Sequence, residues 1–239
     1  MFKSVYDSAW HNPGAFVLAN AALLLFALRA RGGLRAFLLV FTAEILLDTT
    51  LTNAFSPIPK HLASTVAIPF VLLGDARVLI LFERIRAART TAGFEGPSRG
   101  RATLLGLALA LLVPVAQSVA LALAPGLFVE PRRIFLAYEL LALLGLLGYR
   151  IARWEPAAGA MDAGLRRWGV ALWTFVTVQY ALWASADAVI LAGHDVGFAL
   201  RIVPNAMYYI AFLPLAWALA PPALRGEPAR LEATPEVSR

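Results

Sequence analysis

Residues 35–55 read RAFLLVFTAEILLDTTLTNAF, and residues 64–86 read STVAIPFVLLGDARVLILFERIR. Each is about as long as a helix must be to cross the hydrocarbon core of a bilayer, which takes about 20 residues at a rise of about 1.5 Å each. Each is apolar nearly throughout, yet each carries ionisable groups in its interior: Glu44 and Asp48 in the first, Asp75 and Arg77 in the second. A soluble amphipathic helix keeps such groups on a broad polar face. Here they interrupt apolar runs, so they are expected to turn toward neighbouring helices and away from lipid.

Five more segments of the same kind flank these two, near 13–30, 102–124, 133–152, 167–192 and 196–220. The composition agrees. Hydrophobic residues make up 60% of the 239, and charged residues 15%. An ordinary soluble domain is nearer half apolar and a quarter charged. The expected fold is therefore all-α, a polytopic membrane protein built as a bundle of seven transmembrane helices. One membrane domain is expected over residues 1–224, followed by a disordered polar tail over 225–239.

The punctuation fits these limits. Asn12-Pro13 reads as a cap followed by Pro at the first helical position. Gly32-Gly33, Ser56-Pro57-Ile58-Pro59, Pro125-Gly126 and Pro221-Pro222 mark breaks, and residues 93–100 form a polar loop. Within the segments Pro69, Pro114 and Pro204 are expected to kink their helices. The first 13 residues lack the pattern of a cleavable signal, so the first apolar run reads as a retained helix.

Orientation follows from the basic residues. The net charge is +6, and 19 of the 21 basic residues are Arg. With seven spans, 15 of those Arg fall on one side: 29, 31, 35, 84, 86, 89, 99, 101, 150, 153, 166 and 167, with 225, 230 and 239 in the tail. The other side holds Lys3, Lys60, Arg132 and Arg133. By the positive-inside rule the rich side is cytoplasmic, with the N-terminus outside, in the cell membrane. Topology thus accounts for the basic balance, and no nucleic-acid partner is expected.

The intramembrane charges fall into two groups by depth. Glu44, Asp48 and Thr52, four residues apart, share one helix face. Glu44 and Arg77 lie roughly 12–14 Å from the cytoplasmic end at a rise of about 1.5 Å per residue, and Asp48 and Asp75 near the middle. Asp75 and Arg77, two apart, point in nearly opposite directions, and a Glu44–Arg77 or Asp48–Arg77 pair is expected. Glu139, Asp187 and Arg201 lie nearer the outside, with Asp187–Arg201 the expected pair. Glu83, near the inner edge, is expected to snorkel. The two groups hold five carboxylates and two guanidinium groups, an excess of acid that implies protonation or a bound cation.

Gln117, Gln179, Tyr180, Asn205 and Tyr209 add hydrogen-bonding groups between the two levels. Trp173, Tyr180 and Trp183 share a face of the sixth segment, and Trp168 reads as an interfacial anchor. His11, His61 and His194 are scattered in loops without ligand spacing, so no metal site is expected. Cysteine is absent, which removes disulfides and thiolate chemistry.

Seven helices, an outside N-terminus and this length resemble the microbial rhodopsins, which implies a related fold. Retinal needs a Lys for its Schiff base, and Lys3 and Lys60 both lie outside the apolar segments, so covalent retinal is excluded and no cofactor is expected. Leu72-Leu73-Gly74-Asp75 is similar to the Gly-Asp motif of the lysoplasmalogenase membrane family, over those residues alone. The His-x3-His pair of the seven-helix hydrolases resembling alkaline ceramidase is missing from the last segment, and no G-x-S-x-G, H-E-x-x-H or P-loop occurs.

The leading functional expectation is an integral membrane protein, transporter-like or receptor-like, that binds or translocates a small molecule, proton or cation at a polar cavity. Its expected lining is Glu44, Asp48, Asp75, Arg77, Glu139, Tyr180, Asp187, Arg201 and Asn205. The alternatives are a membrane-embedded enzyme, such as a lipid hydrolase using a carboxylate pair, and a structural accessory subunit. The last requires every charge to be paired, with no cavity among them.

Overall fold

The computed structural model describes residues 1–227. Most of the expected tail, 228–239, lies outside the described residues. Arg225 and its neighbours do not hang free: Pro222–Arg225 forms a 3-10 turn, and the Glu227 amide donates to the Pro222 carbonyl at 3.1 Å.

All regular structure among the described residues is helical. In chain order the elements are α1 (Phe2–Tyr6), α2 (Trp10–Arg29), α3 (Arg35–Leu51), α4 (Lys60–Ala88), α5 (Arg99–Leu123), α6 (Pro131–Ala158), α7 (Ala163–Leu191) and α8 (Val196–Ala218). Five of them, α2, α5, α6, α7 and α8, are long and apolar enough to cross a membrane. The 17 residues of α3 include Glu44 and Asp48, and the 29 residues of α4 include Asp75, Arg77, Glu83, Arg84 and Arg86.

Burial runs opposite to that of a soluble protein. The outward surface carries Leu18, Leu25, Val40, Leu47, Leu104 and Leu144, among other large apolar residues. Glu44, Asp48, Asp75, Arg77, Glu139 and Asp187 are all buried. Apolar exteriors of this extent mark a surface that meets something other than water, and five apolar helices of spanning length make that partner a bilayer.

Consecutive helices pack side by side from α2 to α8, and α8 returns to touch both α2 and α3. The connections near residues 30–34, 89–98, 159–162 and 219–227 meet at one end. There the Asp162 amide donates to the Arg89 carbonyl at 2.7 Å, and the Asp162 side chain accepts from the Thr91 amide at 2.9 Å. Gly32, at φ +83, lets the chain pass against the Leu224 and Gly226 backbone, where any side chain would collide. Most of the Arg residues lie at this arginine-rich end. The opposite end carries α1 and the turn before α8.

Small residues bring α5 onto α4. Ala102, Gly106 and Ala110 recur every four residues on one stripe and are the buried residues of its first half. A Cβ on Gly106 would stand 2.5 Å from the Ile80 Cα. Membrane helices associate through close backbone approach of this kind. Near Leu111, three residues before Pro114, α5 changes course; that proline removes a ladder donor and crowds the carbonyl of residue 110.

Asn12 has extended dihedrals and Pro13 follows it, so the regular run of α2 begins at the expected place, although the Asn12 side chain makes no cap hydrogen bond and Asn12-Pro13 is cis. Wide π turns interrupt α6 at Arg150–Trp154 and α8 at Met207–Ala211, the latter just after Pro204. Trp168 is not an interfacial anchor. It is buried beneath Phe94 of the 89–98 loop, and its Nε1 donates to the Ala216 carbonyl at 2.9 Å.

α1 is tied to the turn before α8 by Asp195, whose carboxylate accepts from the Met1 amino group at 2.9 Å and the Phe2 and Lys3 amides at 2.7 and 3.1 Å. The Met1 hydrogen bond first, and then that of the Phe2 amide, hold the Asp195 carboxyl below its ordinary range. The tether is therefore complete above the unfolded aspartate value of about 3.9 and is lost as pH falls through the lowered one. The protection of the Phe2 and Lys3 amides, measured relative to intrinsic exchange at each pH, is expected to fall over that acid range, and in Asp195→Asn to fall at neutral pH. Gly106→Val is expected to destabilise the bundle by about 1–3 kcal/mol in reversible unfolding. Gly148→Ala, whose added Cβ meets open space, is expected to stay within about 0.5 kcal/mol of the parent.

Candidate functional site

A cavity of about 390 Å³ opens among α3, α4, α6, α7 and α8 toward the α1 end, where Tyr6 and Asn12 form part of its rim. Of the nine expected site residues, Asp48, Asp75, Glu139, Tyr180, Arg201 and Asn205 line it. Asp187 stands directly behind Arg201. Glu44 and Arg77 lie apart, on the far side of Tyr208.

That separation follows from helix geometry. Asp75 and Arg77 are two residues apart on α4 and face different neighbours. Arg77, 1% exposed, turns to α8. Its Nη2 donates to the Tyr208 carbonyl at 2.7 Å, its guanidinium lies 3.9 Å from the Tyr208 ring centre, and Nη1 is 3.8 Å from Glu44. Of the two expected partners, the structure gives Arg77 Glu44. A glycine at position 74 admits Tyr208, because any Cβ there would collide with the phenol oxygen.

Asp75 faces the opposite way. It accepts short hydrogen bonds from the Tyr138 and Tyr180 hydroxyls, one on each carboxylate oxygen. Asp48, on α3, accepts from Thr52 Oγ1 at 2.8 Å, one turn further along the same face. Neither Asp48 nor Asp75 has an Arg or Lys nitrogen within 4.0 Å among the described residues.

The acids nearer the α1 end are paired. Arg201 bonds Glu139 at 3.0 Å, forms the expected pair with Asp187, and donates through Nε to the Tyr6 hydroxyl at 3.2 Å. Arg132, read from the sequence as a loop residue, turns inward onto Asp187 at 3.2 Å. Two guanidinium groups thus balance two carboxylates. One oxygen of Glu139 and one of Asp187 are still left without a hydrogen-bond partner. Asn205 accepts from Trp183 Nε1 at 2.8 Å, and both line the cavity.

Sequence reasoning missed Arg132, Tyr138 and Tyr208 at this site. Arg132 and Glu139 are seven apart, two turns on one helix face, and that spacing was the available signal. Glu83 does not snorkel: it is wholly buried at the arginine-rich end, held by Arg153 at 2.7 Å and Arg86 at 2.7 Å.

The chain matches no protein-family profile, no characterised protein and no solved structure. The chemistry of the site is therefore read from its geometry. It is a space of about 390 Å³ lined by two carboxylates with no Arg or Lys nitrogen within 4.0 Å among the described residues, by several aromatic side chains, and by a neutral Arg–acid cluster.

Arg201 is the common partner of that cluster. Removing it leaves two buried carboxylates to Arg132 alone, and breaking a buried pair in this way costs roughly 3–5 kcal/mol. Arg201→Ala is expected to lower stability by that amount in reversible unfolding from lipid. Arg132→Ala, which removes a more exposed partner, is expected to cost less than half as much.

Proposed function

We propose that this chain is a seven-span protein of the cell membrane, with its N-terminus outside and its C-terminus cytoplasmic, that binds or translocates a small cation at the cavity around Asp48 and Asp75. Two observations support the topology. Seven long helices run in alternation, and the connections rich in Arg gather at one end while α1 lies at the other.

The observation that carries the functional reading is the division of the acids. Glu139 and Asp187 have Arg201 and Arg132. Asp48 and Asp75 line an open cavity with only hydroxyl donors against them. A carboxylate in a bilayer costs roughly 2.5–3.5 kcal/mol on insertion scales, and a bound cation or proton offsets that cost. Tyr138, Tyr180, Trp183 and Tyr209 line the same space, and an aromatic face attracts a cation by about 0.5–2 kcal/mol where the two meet. The cavity itself weighs against a purely structural network.

The test is thermal stabilisation of protein in lipid nanodiscs by alkali cations and small organic ammonium ions, followed by uptake into proteoliposomes. A cation at 100 times its Kd stabilises by about 2.7 kcal/mol. Asp48→Asn and Asp75→Asn are each expected to weaken that response by at least about tenfold in affinity. Responses identical to the parent in both variants would falsify the reading.

A further inference from the structure

A second cavity, of about 350 Å³, lies on the arginine-rich side of Asp75, between α4, α5, α6 and α7. Its walls are almost wholly aliphatic, with Leu79, Leu109, Val113, Leu146 and Val176 among them. Asp75 and Tyr180 belong to the walls of both cavities. The polar space and the apolar groove therefore share one wall at the tyrosine-bound carboxylate.

The groove opens sideways because α6 presents small residues to it: Ala142, Gly145, Gly148 and Ala152. A Cβ on Gly148 would meet nothing within 4 Å, and one on Gly145 would meet only Val113 Cγ2 at 3.6 Å. These glycines are not there to let helices touch. They leave a channel between α5 and α6 that runs about 15 Å along α6, at a rise of about 1.5 Å per residue.

We propose that the ligand of the acidic cavity is a single-chain amphiphilic amine, its ammonium group held at Asp48 and Asp75 and its hydrocarbon tail laid in the groove between α5 and α6. The proposal rests on the cation-binding reading and names the class of cation. Charge selects the head group: the polar cavity holds two carboxylates with no Arg or Lys nitrogen within 4.0 Å among the described residues, and the unpartnered oxygen of Glu139, a residue 4% exposed, adds an acceptor. Shape and chemistry select the tail, since the groove offers it aliphatic contact over its whole length. An anionic amphiphile would need a free cation at the groove's other mouth. Arg153 stands there with its Nε and Nη2 already bound to Glu83, at 2.7 and 3.1 Å.

The experiment compares tetramethylammonium, octyltrimethylammonium and dodecyltrimethylammonium, each below its micellar concentration, on protein in zwitterionic nanodiscs, with empty nanodiscs correcting for partition into lipid. Affinity is expected to rise at least about tenfold from the first to the last. Gly148→Leu and Gly145→Leu fill the groove with a better helix former than glycine, so both are expected to fold. Both are expected to abolish the chain-length gain while leaving tetramethylammonium binding unchanged. A gain that persists in both variants, or no gain in the parent, overturns the proposal and leaves the cation reading standing. Equal gain for dodecyl sulfate overturns it as well. Failure of all three ammonium ions to bind the parent overturns the proposal, and absence of stabilisation by alkali cations as well overturns the cation reading with it.

Discussion

An ionised side chain surrounded by hydrocarbon has no water to share its charge with, so it must meet an opposite charge, a proton or a set of donors. Arg201 shows how this fold meets that demand. One guanidinium on α8 reaches Glu139 on α6 and Asp187 on α7 and also donates to Tyr6 of α1. Two helices and the terminal cap are thereby registered against a third. Arg77 does the same at a deeper level, where it joins α4 to the backbone of α8 and to Glu44 of α3. The apolar contacts of the bundle set no register of this kind, because lipid is as good a neighbour as Leu.

Against that background, the treatment of Asp48 and Asp75 stands out as a different solution. They are held by hydroxyls, which orient a carboxylate without neutralising it. The phenols of Tyr138 and Tyr180 fix both oxygens of Asp75 from two different helices. Among the described residues these two acids therefore differ from Glu139 and Asp187, whose partners are Arg201 and Arg132.

The apolar periodicity and the loop residues were enough to position the long helices, since a spanning helix is written as a continuous run that few other structures share. The opposed facing of Asp75 and Arg77 was legible from a spacing of two. Less local features were not. Arg132 sits one residue after Pro131, where charge counting treats it as loop, and its side chain is long enough to return to the bundle. Trp168 was misplaced because Phe94 covers it, and nothing in the 89–98 segment announces that the loop folds back over the end of α7. Tyr138 lies next to Glu139, yet the two meet different partners, Asp75 of α4 and Arg201 of α8, and only the packing of the whole bundle decides which. Glu83 looked like a snorkelling acid because its partner Arg153 is 70 residues away in the chain.

The wide turn in α8 has a mechanical meaning. At Met207–Ala211 the helix loosens its own hydrogen-bond ladder, and two of its carbonyls are taken by side chains from elsewhere: that of Tyr208 by Arg77, and that of Tyr209 by Asn20 Nδ2 at 2.6 Å. The joint between the two halves of α8 is thus tied to α4 and α2, and a bend there would have to carry or break these two hydrogen bonds. α2 and α4 therefore act as the latch on a joint that belongs to a helix neither of them precedes or follows.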